Sequence, residues 1–440
     1  MTSTNTHYDV IIVGGRPAGS SLAVRLGRQG LKVLLLERSV FPSPHPASSP
    51  IIYASAMALL DELGADEEEY ARDTPRIRRW INEYYDQFRV FVPVPEAFGR
   101  DYGYAIDRAH FDHVLWRMAA SLPTVTVRQP FAVAEVLWDN GKAAGISGQV
   151  PGGPIETFSA DCVVGADGRF STVARKVNAQ SHDVRTDALT TVYYAAWANT
   201  EPCDDLGAVV QFCKPDTGYF FFLFDSANGL VNVAIEGKTE LLSPEPGQVE
   251  KFYLDMLRGA PLIWRRLARA EKVSPVRGMR KVGNFYRSAA GPGWALVGDA
   301  LHQKDPIDGQ GIYDALFSAK ALSQAIAAWK AGKLWEQAMT EYEACVRDET
   351  FEMYKITLEQ VKLTVYSDIP VALDKALFRW FGADTEVNLR YALLTVRSLP
   401  PKNWLPVTVL LKAAARGALE NIGYFLTRKP HPAVIQKNGK

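Results

Sequence analysis

The sequence has no excess of either charge and no long hydrophobic run. Lys and Arg together number 49, the same as Asp and Glu, so no net charge is present to attract nucleic acid or an anionic membrane. No stretch reaches the roughly 18 to 20 apolar residues of a membrane-spanning helix, because the apolar segment from Trp404 to Leu411 ends at Lys412. The polar segment from Met1 to His7 has no signal-peptide pattern. We therefore expect a cytoplasmic protein with no transmembrane segment that does not bind nucleic acid.

Cysteine and histidine are also scarce, with four and seven residues respectively. The cysteines are scattered and form no close pair of the kind that binds metals, which fits a reducing compartment better than a disulfide scaffold. The histidines show no paired spacing, and no Gly-x-Ser-x-Gly sequence suggests a serine hydrolase. The sequence therefore predicts neither a metal site nor hydrolytic chemistry.

The first part of the chain has the pattern of a strand, a helix and a second strand. Residues 8–13 are almost continuously apolar, as expected for a strand buried on both faces of a parallel sheet. A helix-compatible segment runs from Pro17 to Gln29, Gly30 is suited to end it, and residues 32–36 form the next apolar run. Because 440 residues exceed the usual size of one core, we expect this unit to belong to one of at least two domains.

A glycine-rich turn, Gly14-Gly15-Arg16-Pro17-Ala18-Gly19, connects the first strand to the helix. Gly14 permits the tight turn, Gly19 lets the helix and strand pack closely, and the helix start directs free N–H groups at a pyrophosphate. Glu37, at the end of the second strand, can accept hydrogen bonds from ribose hydroxyls, and Arg38 follows it. A complete βαβ unit with this turn and an acidic residue predicts a dinucleotide site.

Arg16 occupies the position of the central glycine of this fingerprint. One interpretation is that its guanidinium contacts the pyrophosphate or the edge of the cofactor. Another is that the side chain points to solvent while the backbone binds the phosphates as usual. A third is that cofactor binding has been lost. The sequence leaves these three open.

Two later segments, Cys162-Val-Val-Gly-Ala-Asp-Gly-Arg-Phe-Ser171 and Trp294-Ala-Leu-Val-Gly-Asp-Ala-Leu-His-Gln-Lys-Asp-Pro-Ile-Asp-Gly-Gln-Gly311, each join a strand to a Gly and Asp motif. Together with the first turn, their order and spacing resemble FAD-dependent monooxygenases of the aromatic-hydroxylase class. That superfamily also contains geranylgeranyl-reductase-like enzymes and flavin halogenases. The resemblance covers about the first three quarters of the chain, and it implies FAD as the cofactor.

The last of these segments is expected to contact the flavin. Asp299, at the end of a strand, can accept a hydrogen bond from a ribityl hydroxyl. Gly309 and Gly311 allow the backbone to approach the ring, and the helix that starts there can stabilise negative charge on the reduced flavin. The resemblance adds four positions, of which the first two lie closest to the reacting edge: Asp305, Pro306, Gln310 and Ile312. No protein residue is assigned the redox step, since the flavin carries it.

Four further positions are assigned by resemblance alone. Asp167 and Gly168 shape the groove used by both FAD and NAD(P)H, Arg108 contacts the FAD phosphates or ribityl chain, and the backbone of Ala132 faces adenine. The alternatives are that Asp167 and Asp299 merely cap the helices that follow them, and that Arg108 is an exposed arginine on a helix surface.

The segment Gly218-Tyr-Phe-Phe-Phe-Leu-Phe224 predicts a strand with aromatic residues on both faces. One set should line a hydrophobic pocket above the flavin, and the other should pack in the core. We assign Tyr219 and Phe221 to the pocket. The resemblance adds Tyr53, from the segment after a proline-rich loop.

These patterns predict an α/β protein with a Rossmann-like FAD-binding domain that combines a parallel sheet and an antiparallel meander. A second, mainly antiparallel β-sheet domain should bind the substrate, and a helical region should follow. The expected ranges are 1–75, 104–180 and 272–332 for FAD, 76–103 and 181–271 for the substrate, and 333–440 for the helical region.

The resemblance implies a monooxygenase that uses NAD(P)H and O2 to hydroxylate or epoxidise a small aromatic or apolar molecule through a flavin C4a-hydroperoxide. No second glycine-rich fingerprint is present, so NAD(P)H should visit the flavin transiently, unless a partner reductase supplies the electrons. A reductase of the geranylgeranyl type, a halogenase and a non-catalytic binding module are the alternatives. The Trp-x-Trp-x-Ile-Pro motif of halogenases is absent, and no clear candidate exists for their lysine. The C-terminal helices should cover the pocket or form a homodimer.

Overall fold

The computed structural model describes residues 6–44 and 48–427. Residues 1–5 of the expected FAD domain and 428–440 of the expected helical region therefore lie outside the described residues. The strands, in chain order, are β1 (His7–Val13), β2 (Val33–Leu36), β3 (Ile51–Ile52), β4 (Arg79–Tyr84), β5 (Phe88–Pro93), β6 (Tyr104–Ala105), β7 (Val125–Arg128), β8 (Ala132–Asp139), β9 (Lys142–Gln149), β10 (Glu156–Gly165), β11 (Ser181–Arg185), β12 (Thr190–Ala198), β13 (Val210–Asp216), β14 (Tyr219–Asp225), β15 (Val231–Lys238), β16 (Glu271–Lys272), β17 (Arg277–Met279), β18 (Asn284–Arg287), β19 (Ala290–Gly291), β20 (Trp294–Leu296) and β21 (His302–Gln303). The helices are α1 (Pro17–Arg28), α2 (Ala54–Glu62), α3 (Glu67–Tyr70), α4 (Arg108–Ala120), α5 (Thr172–Lys176), α6 (Val249–Arg258), α7 (Pro261–Leu267), α8 (Gly311–Lys330), α9 (Trp335–Thr364), α10 (Val371–Leu377), α11 (Thr385–Thr395) and α12 (Val407–Thr427).

The first large sheet has the strand order β19-β20-β10-β1-β2-β7, and β9 and β8 extend it as a meander from β10. The strands from β20 to β7 run parallel, while β8, β9 and β10 are antiparallel neighbours. Strands β1 and β2 are buried along nearly their whole length because helices cover the sheet. Apolar residues of α1, α4, α8 and the first half of α9 join the core of this sheet.

The second large sheet has the order β16-β12-β15-β14-β13-β4-β5, with β17 paired to β12. Its pairs are antiparallel except for β13 and β4, which run parallel. The odd-numbered residues of β12, β14 and β15 face α6 and α7 and form a separate hydrophobic core with them. The even-numbered residues of these strands lie on the other face of the second sheet, which points toward the first sheet. This face therefore lies between the two halves of the molecule.

Helix α9 connects the two sheets. Its N-terminal half, with Tyr342 and Val346, packs in the core of the first sheet. Val361 in its C-terminal half, and Val365 directly after its end, pack against Phe220 of β14. Among the described residues, no helix combines the length and the apolar character that a membrane crossing needs.

The expected fold class is confirmed: a parallel sheet with an antiparallel meander, a second mainly antiparallel sheet and a C-terminal helical region. The expected domain ranges remain a prediction. Strands β4 and β5 join the second sheet, as those ranges imply. Strand β17 also joins the second sheet, although it lies in the range expected for FAD, and β11 of the substrate range pairs with β18 of the FAD range.

Candidate functional site

The parallel sheet brings the three glycine and aspartate motifs together. In the strand register, Val13 of β1 lies beside Gly165 of β10, and Gly165 lies beside Leu296 of β20. Each motif follows directly after one of these residues. Because parallel strands end at the same edge of a sheet, the three motifs form one continuous surface at its carboxyl edge.

The first turn is closely packed. Gly14 has a φ of +107°, and a Cβ atom there would lie 2.3 Å from the carbonyl oxygen of Ala166. A Cβ atom on Gly19 would lie 1.8 Å from the carbonyl oxygen of Gly14. Both positions therefore require glycine, and Gly15 also has little room because Trp116 lies where its side chain would start. Helix α1 begins at Pro17 with its N-terminus at this turn.

Glu37 is buried beside the turn. Its carboxylate accepts a hydrogen bond of 2.9 Å from the backbone N–H of Gly15 and another of 2.9 Å from that of Ser39. The neighbouring Arg38 is exposed. The carbonyl oxygen of Glu37 accepts a hydrogen bond from Phe131, so the exposed Ala132 lies close by. The acidic residue and the adenine position assigned from the sequence are thus near neighbours.

The guanidinium of Arg16 is largely buried and is held by protein groups beside the turn. Its backbone is extended, and its guanidinium donates a 2.6 Å hydrogen bond to the fully buried Asp112 of α4. It also donates to Ser43 and to the carbonyl of Pro44. Arg108 pairs with the same carboxylate at 3.0 Å. A single buried aspartate therefore holds both arginines beside the turn.

Asp167 acts here as a helix cap. Its carboxylate accepts hydrogen bonds from the hydroxyl of Ser171 and from the backbone N–H groups of Thr172 and Val173, at the start of α5. This is the capping alternative that the sequence left open for Asp167. The adjacent Gly168 has a φ of +77° and nothing within 4 Å of a Cβ position, so open space remains beside the cap.

Among the described residues, Asp299 accepts no comparable hydrogen bond. Its side chain is 41% exposed, and Arg169 lies 4.0 Å away, which is too far for a hydrogen bond. The Nη1 atom of Arg169 is buried and has no hydrogen-bond partner among the described residues. The carboxylate of Asp299 and the guanidinium of Arg169 therefore face the same space, and each can still form hydrogen bonds.

The loop before α8 is held in place by contacts on its protein-facing side. Gly309 has a φ of +66°, and a Cβ atom there would meet Ile51 at 2.4 Å, whereas Gly311 has no atom within 4 Å of that position. The side chain of Gln310 donates a 2.6 Å hydrogen bond to the carbonyl of Thr395 and accepts one from Arg397. Gln310 therefore anchors the loop to the C-terminal region, while Gly311 leaves the start of α8 open.

Three other residues assigned to the site are largely enclosed by protein. Ile312 is buried in the core of the first sheet. The hydroxyl of Tyr53 is 3.4 Å from the carbonyl of Asp308, on the protein side of the Gly309 turn. Asp305 is fully buried behind Pro306, and Pro306 itself lines a cavity.

This cavity has a volume of about 300 Å³ and lies between the two sheets. One wall comes from the Arg108, Arg169 and Pro306 side of the molecule. The other wall is the even-numbered face of the second sheet: Val192, Tyr194, Ala196, Phe222, Phe224, Asn232, Ala234 and Glu236.

The aromatic residues of the cavity are therefore Tyr194, Phe222 and Phe224. Tyr219 and Phe221, which the sequence analysis assigned to the pocket, lie on the opposite face and pack toward α6 and α7. The reason is tertiary. Helices α6 and α7 cover one face of the sheet, and the half of the molecule that contains the first sheet covers the other, so either face can accept aromatic side chains.

Sequence reasoning missed a buried pair of carboxyl groups at one end of the cavity. Glu236 lines the cavity at 3% exposure, and Asp305 hydrogen-bonds to it from behind Pro306. Burial and the negative charge of Asp305 raise the pKa of Glu236 well above its ordinary value. In the sequence, Glu236 has the alternating polar pattern of an ordinary solvent-facing strand residue, so no local signal marks it.

Comparison with known proteins identifies what this arrangement holds. A family profile described as "FAD binding domain" matches residues 7–350, most of the chain. The chain belongs to the FAD binding domain family. It is thereby an FAD-dependent oxidoreductase, which confirms the superfamily expected from the three motifs.

Individual known proteins resemble the chain to different degrees. A digeranylgeranylglycerophospholipid reductase of Methanocella arvoryzae is 28% identical over 358 residues, which cover 78% of this chain and 83% of the reductase. The flavin-dependent brominase Bmp2 superposes with a TM-score of 0.76 at 19% identity, covering 96% of this chain and all of the brominase. The p-nitrophenol 4-monooxygenase PnpA of Pseudomonas putida gives 0.72 at 19% identity, covering 89% and 99%. At these identities the two solved structures share the fold.

The residues of the site fit the FAD that the family binds. The Nη1 of Arg169, which has no partner among the described residues, and the partly exposed carboxylate of Asp299 supply a donor and an acceptor. The open N-terminus of α8 at Gly311 leaves room for a flat ring to approach the backbone. The same edge of the sheet carries the tight turn at the start of α1, which is the usual place for a pyrophosphate.

Proposed function

We propose that the protein is an FAD-dependent monooxygenase that uses NAD(P)H and O2 to hydroxylate or epoxidise a small aromatic or apolar molecule. The observation that carries this proposal is the cavity of about 300 Å³ between Pro306 and the aromatic face of the second sheet. Its volume is at the lower end of the range for small-molecule sites. Phe222, Phe224 and Met279 make much of its lining apolar. A substrate there would lie beside the expected reacting edge of the cofactor.

Each residue of the site has a distinct task in this proposal. The turn from Gly14 to Gly19 binds the pyrophosphate, and Glu37 binds the ribose. Asp299 accepts a hydrogen bond from the ribityl chain, and the start of α8 at Gly311 stabilises negative charge on the ring. FAD supplies the redox chemistry when it is bound. The protein contributes binding, orientation and the exclusion of water.

The size of the cavity argues against a long lipid substrate. The reductase relative is named for a lipid with two geranylgeranyl chains, and such a molecule is much larger than about 300 Å³. A reductase acting on a small molecule remains the second candidate, because that relative is 28% identical to this chain.

Lysine placement argues against a halogenase. None of the described residues that line the cavity is a lysine. Lys304, two residues before Pro306, is buried with its Nζ atom 3.0 Å from Asp308 and 2.8 Å from Asp314. Its ammonium group is therefore paired within the protein and does not line the cavity.

The proposal is tested with FAD-loaded protein that is mixed anaerobically with NADPH or NADH and then exposed to ¹⁸O-labelled oxygen. Phenol, indole and styrene are suitable test substrates because they report hydroxylation and epoxidation. We expect an accepted substrate to accelerate flavin bleaching and the product to gain one labelled oxygen atom, detected by mass spectrometry.

A cavity-filling variant serves as the control. Ala234→Phe is expected to keep FAD and to oxidise NAD(P)H slowly while losing the oxygenated product, because Ala234 lines the cavity on the side away from the cofactor-binding residues. A product that gains two hydrogen atoms without oxygen uptake would establish the reductase instead. A product that forms only with added halide would establish a halogenase.

A further inference from the structure

Glu236 lines the cavity with a buried carboxyl group whose hydrogen bonding is incomplete. The residue lies on the cavity face of β15 and is 3% exposed. Its Oε1 atom is buried and has no hydrogen-bond partner among the described residues. An unsatisfied buried oxygen destabilises the folded protein. Since the side chain borders a cavity that can hold a ligand, a ligand there can donate a hydrogen bond to this carboxyl group.

The other side of Glu236 is occupied by Asp305. The carboxylate of Asp305 accepts a 2.6 Å hydrogen bond from the hydroxyl of Thr190 and a 3.1 Å hydrogen bond from the backbone N–H of Ile307. Two carboxyl groups can hydrogen-bond to each other only if one of them carries a proton. Asp305 already accepts from two donors, so it is the ionised member, and the proton lies on Glu236.

The charges around the pair agree with this assignment. Asp305 and Asp308 both face Glu236 and disfavour a second negative charge. The cavity wall also contains Arg169 and Arg277, and Arg169 interacts with the charge of Asp305. Burial together with Asp305 raises the pKa of Glu236 well above its ordinary value. Glu236 is therefore a neutral acid when the cavity is dry.

The position of the proton decides what Glu236 can bind. Its protonated oxygen donates to Asp305, so the oxygen that faces the cavity is a carbonyl-type acceptor. An acceptor of this kind pairs with an O–H or N–H group of a ligand. It repels a phenolate or a carboxylate, because the charge of Asp305 lies directly behind it.

We propose that Glu236 is a specificity-determining residue that accepts a hydrogen bond from a neutral aromatic substrate bearing an O–H or N–H group, of the phenol, aniline or indole class. The ring of such a molecule would lie against Phe222 and Phe224 of the same wall. This inference rests on the proposed function in one respect, namely that the substrate occupies this cavity.

The binding test compares phenol with anisole, which keeps the ring and the oxygen but lacks the O–H. Affinities are measured with oxidised, FAD-loaded protein from the change in flavin absorption, without NAD(P)H. One buried neutral hydrogen bond predicts that phenol binds about 3- to 10-fold more tightly than anisole. Glu236→Leu should abolish that preference, whereas Glu236→Gln should keep most of it because the amide still offers a carbonyl oxygen. The exposed Glu245 provides the control variant Glu245→Leu, which should leave the preference unchanged.

A second measurement reports the proton directly. The infrared difference spectrum between wild-type protein and Glu236→Gln should contain the C=O stretching band of a protonated carboxylic acid at neutral pH. The inference is overturned if this band is missing, or if Glu236→Leu keeps the preference for phenol. Neither measurement involves turnover, so the inference can stand even where the labelled-oxygen experiment reveals a reductase. If anisole and phenol are both oxygenated and bind with equal affinity, the proposed function is supported and the inference is rejected.

Discussion

Asp112 shows how a departure from a sequence fingerprint is accommodated by one distant residue. The central position of the glycine-rich turn is Arg16, with a φ of −83° and a ψ of −170°, which any residue can adopt. Its backbone therefore has no need of glycine, and only the direction of the side chain matters. Asp112 is fully buried, and it draws the guanidinium toward α4 together with that of Arg108.

We expect Asp112→Ala to lower the free energy of unfolding by about 2–4 kcal/mol, because removing one partner of a buried pair leaves the other charges uncompensated. The affinity for FAD should fall as well, since both arginines lose the group that positions them. Urea unfolding and flavin fluorescence measure the two effects. Asp101→Ala is the matched control: Asp101 pairs with Arg78, both are half exposed, and its loss should change the stability by less than about 1 kcal/mol.

Glu236 should make stability depend on pH. The unfolded chain releases this proton above its ordinary pKa of 4.5, whereas the folded protein keeps it, because burial and Asp305 raise the pKa. Its contribution to stability is therefore fully present below about pH 4.5 and is lost as the pH rises toward the folded pKa, by about 1.4 kcal/mol for each pH unit. Glu236→Gln has no proton to lose, so its stability relative to wild type should increase between pH 5 and pH 8. The free energies of unfolding of both proteins are measured with urea at the two pH values. An equal difference between Glu236→Gln and wild type at both would contradict this prediction.

At the scale of elements, the N-termini of two helices approach the cofactor in different ways. Helix α1 is pressed against the turn from which it starts, so that Gly19 touches the backbone of Gly14. Helix α8 starts in open space at Gly311. The first contact holds the protein together, and the second leaves room for a ligand.

This difference predicts opposite effects for the same substitution. Gly19→Ala should destabilise the protein strongly because its Cβ atom would lie 1.8 Å from a backbone oxygen. Gly311→Ala should leave the FAD-free protein as stable as wild type, or more stable by up to about 1 kcal/mol, since alanine favours a helix. Its methyl group would crowd the bound flavin and weaken FAD binding by roughly 5- to 100-fold. Thermal unfolding of the FAD-free protein and FAD titration separate the two effects, and an unchanged FAD affinity for Gly311→Ala would contradict the expected approach of the ring.

At the scale of the whole molecule, the C-terminal region holds the flavin-side loop from behind. Arg397, two residues after α11, donates hydrogen bonds to Gln310 at 3.1 Å, to Asp314 at 3.2 Å and to the carbonyl of Glu349 at 3.1 Å. It is nearly completely buried, and its φ is +60°. The helical region is therefore joined to the cofactor-binding elements through a charged and buried contact.

We expect Arg397→Ala to cost about 2–4 kcal/mol of stability and to weaken FAD binding, because Gln310 and Asp314 lose a shared partner. Limited proteolysis should then cut the C-terminal region faster, and added FAD should slow the cleavage. Lys362→Ala removes an exposed ion pair between α9 and Asp187 and should change neither readout. Equal proteolysis of the two variants would show that Arg397 does not connect the regions.

Much of the cofactor half of the molecule was predictable from local patterns. The strand at residues 8–13, the glycine-rich turn and the helix from Pro17 follow from apolar runs, from turn chemistry and from the freedom of Gly14 to adopt a positive φ. The partners of Arg16 and Gln310 were not predictable, because Asp112 and Arg397 lie 96 and 87 residues away in the chain and carry no local signal.

The sequence by itself determined the parallel strands, the three motifs at their ends and hence the family of the protein, because such features depend on short-range backbone geometry and burial. Only the tertiary structure decided which face of β14 lines the cavity and which carboxyl group keeps a proton there. An alternating strand has two faces, and its sequence cannot tell which neighbour covers each one. That choice placed Phe222 and Glu236 at the cavity and left Phe221 in the core.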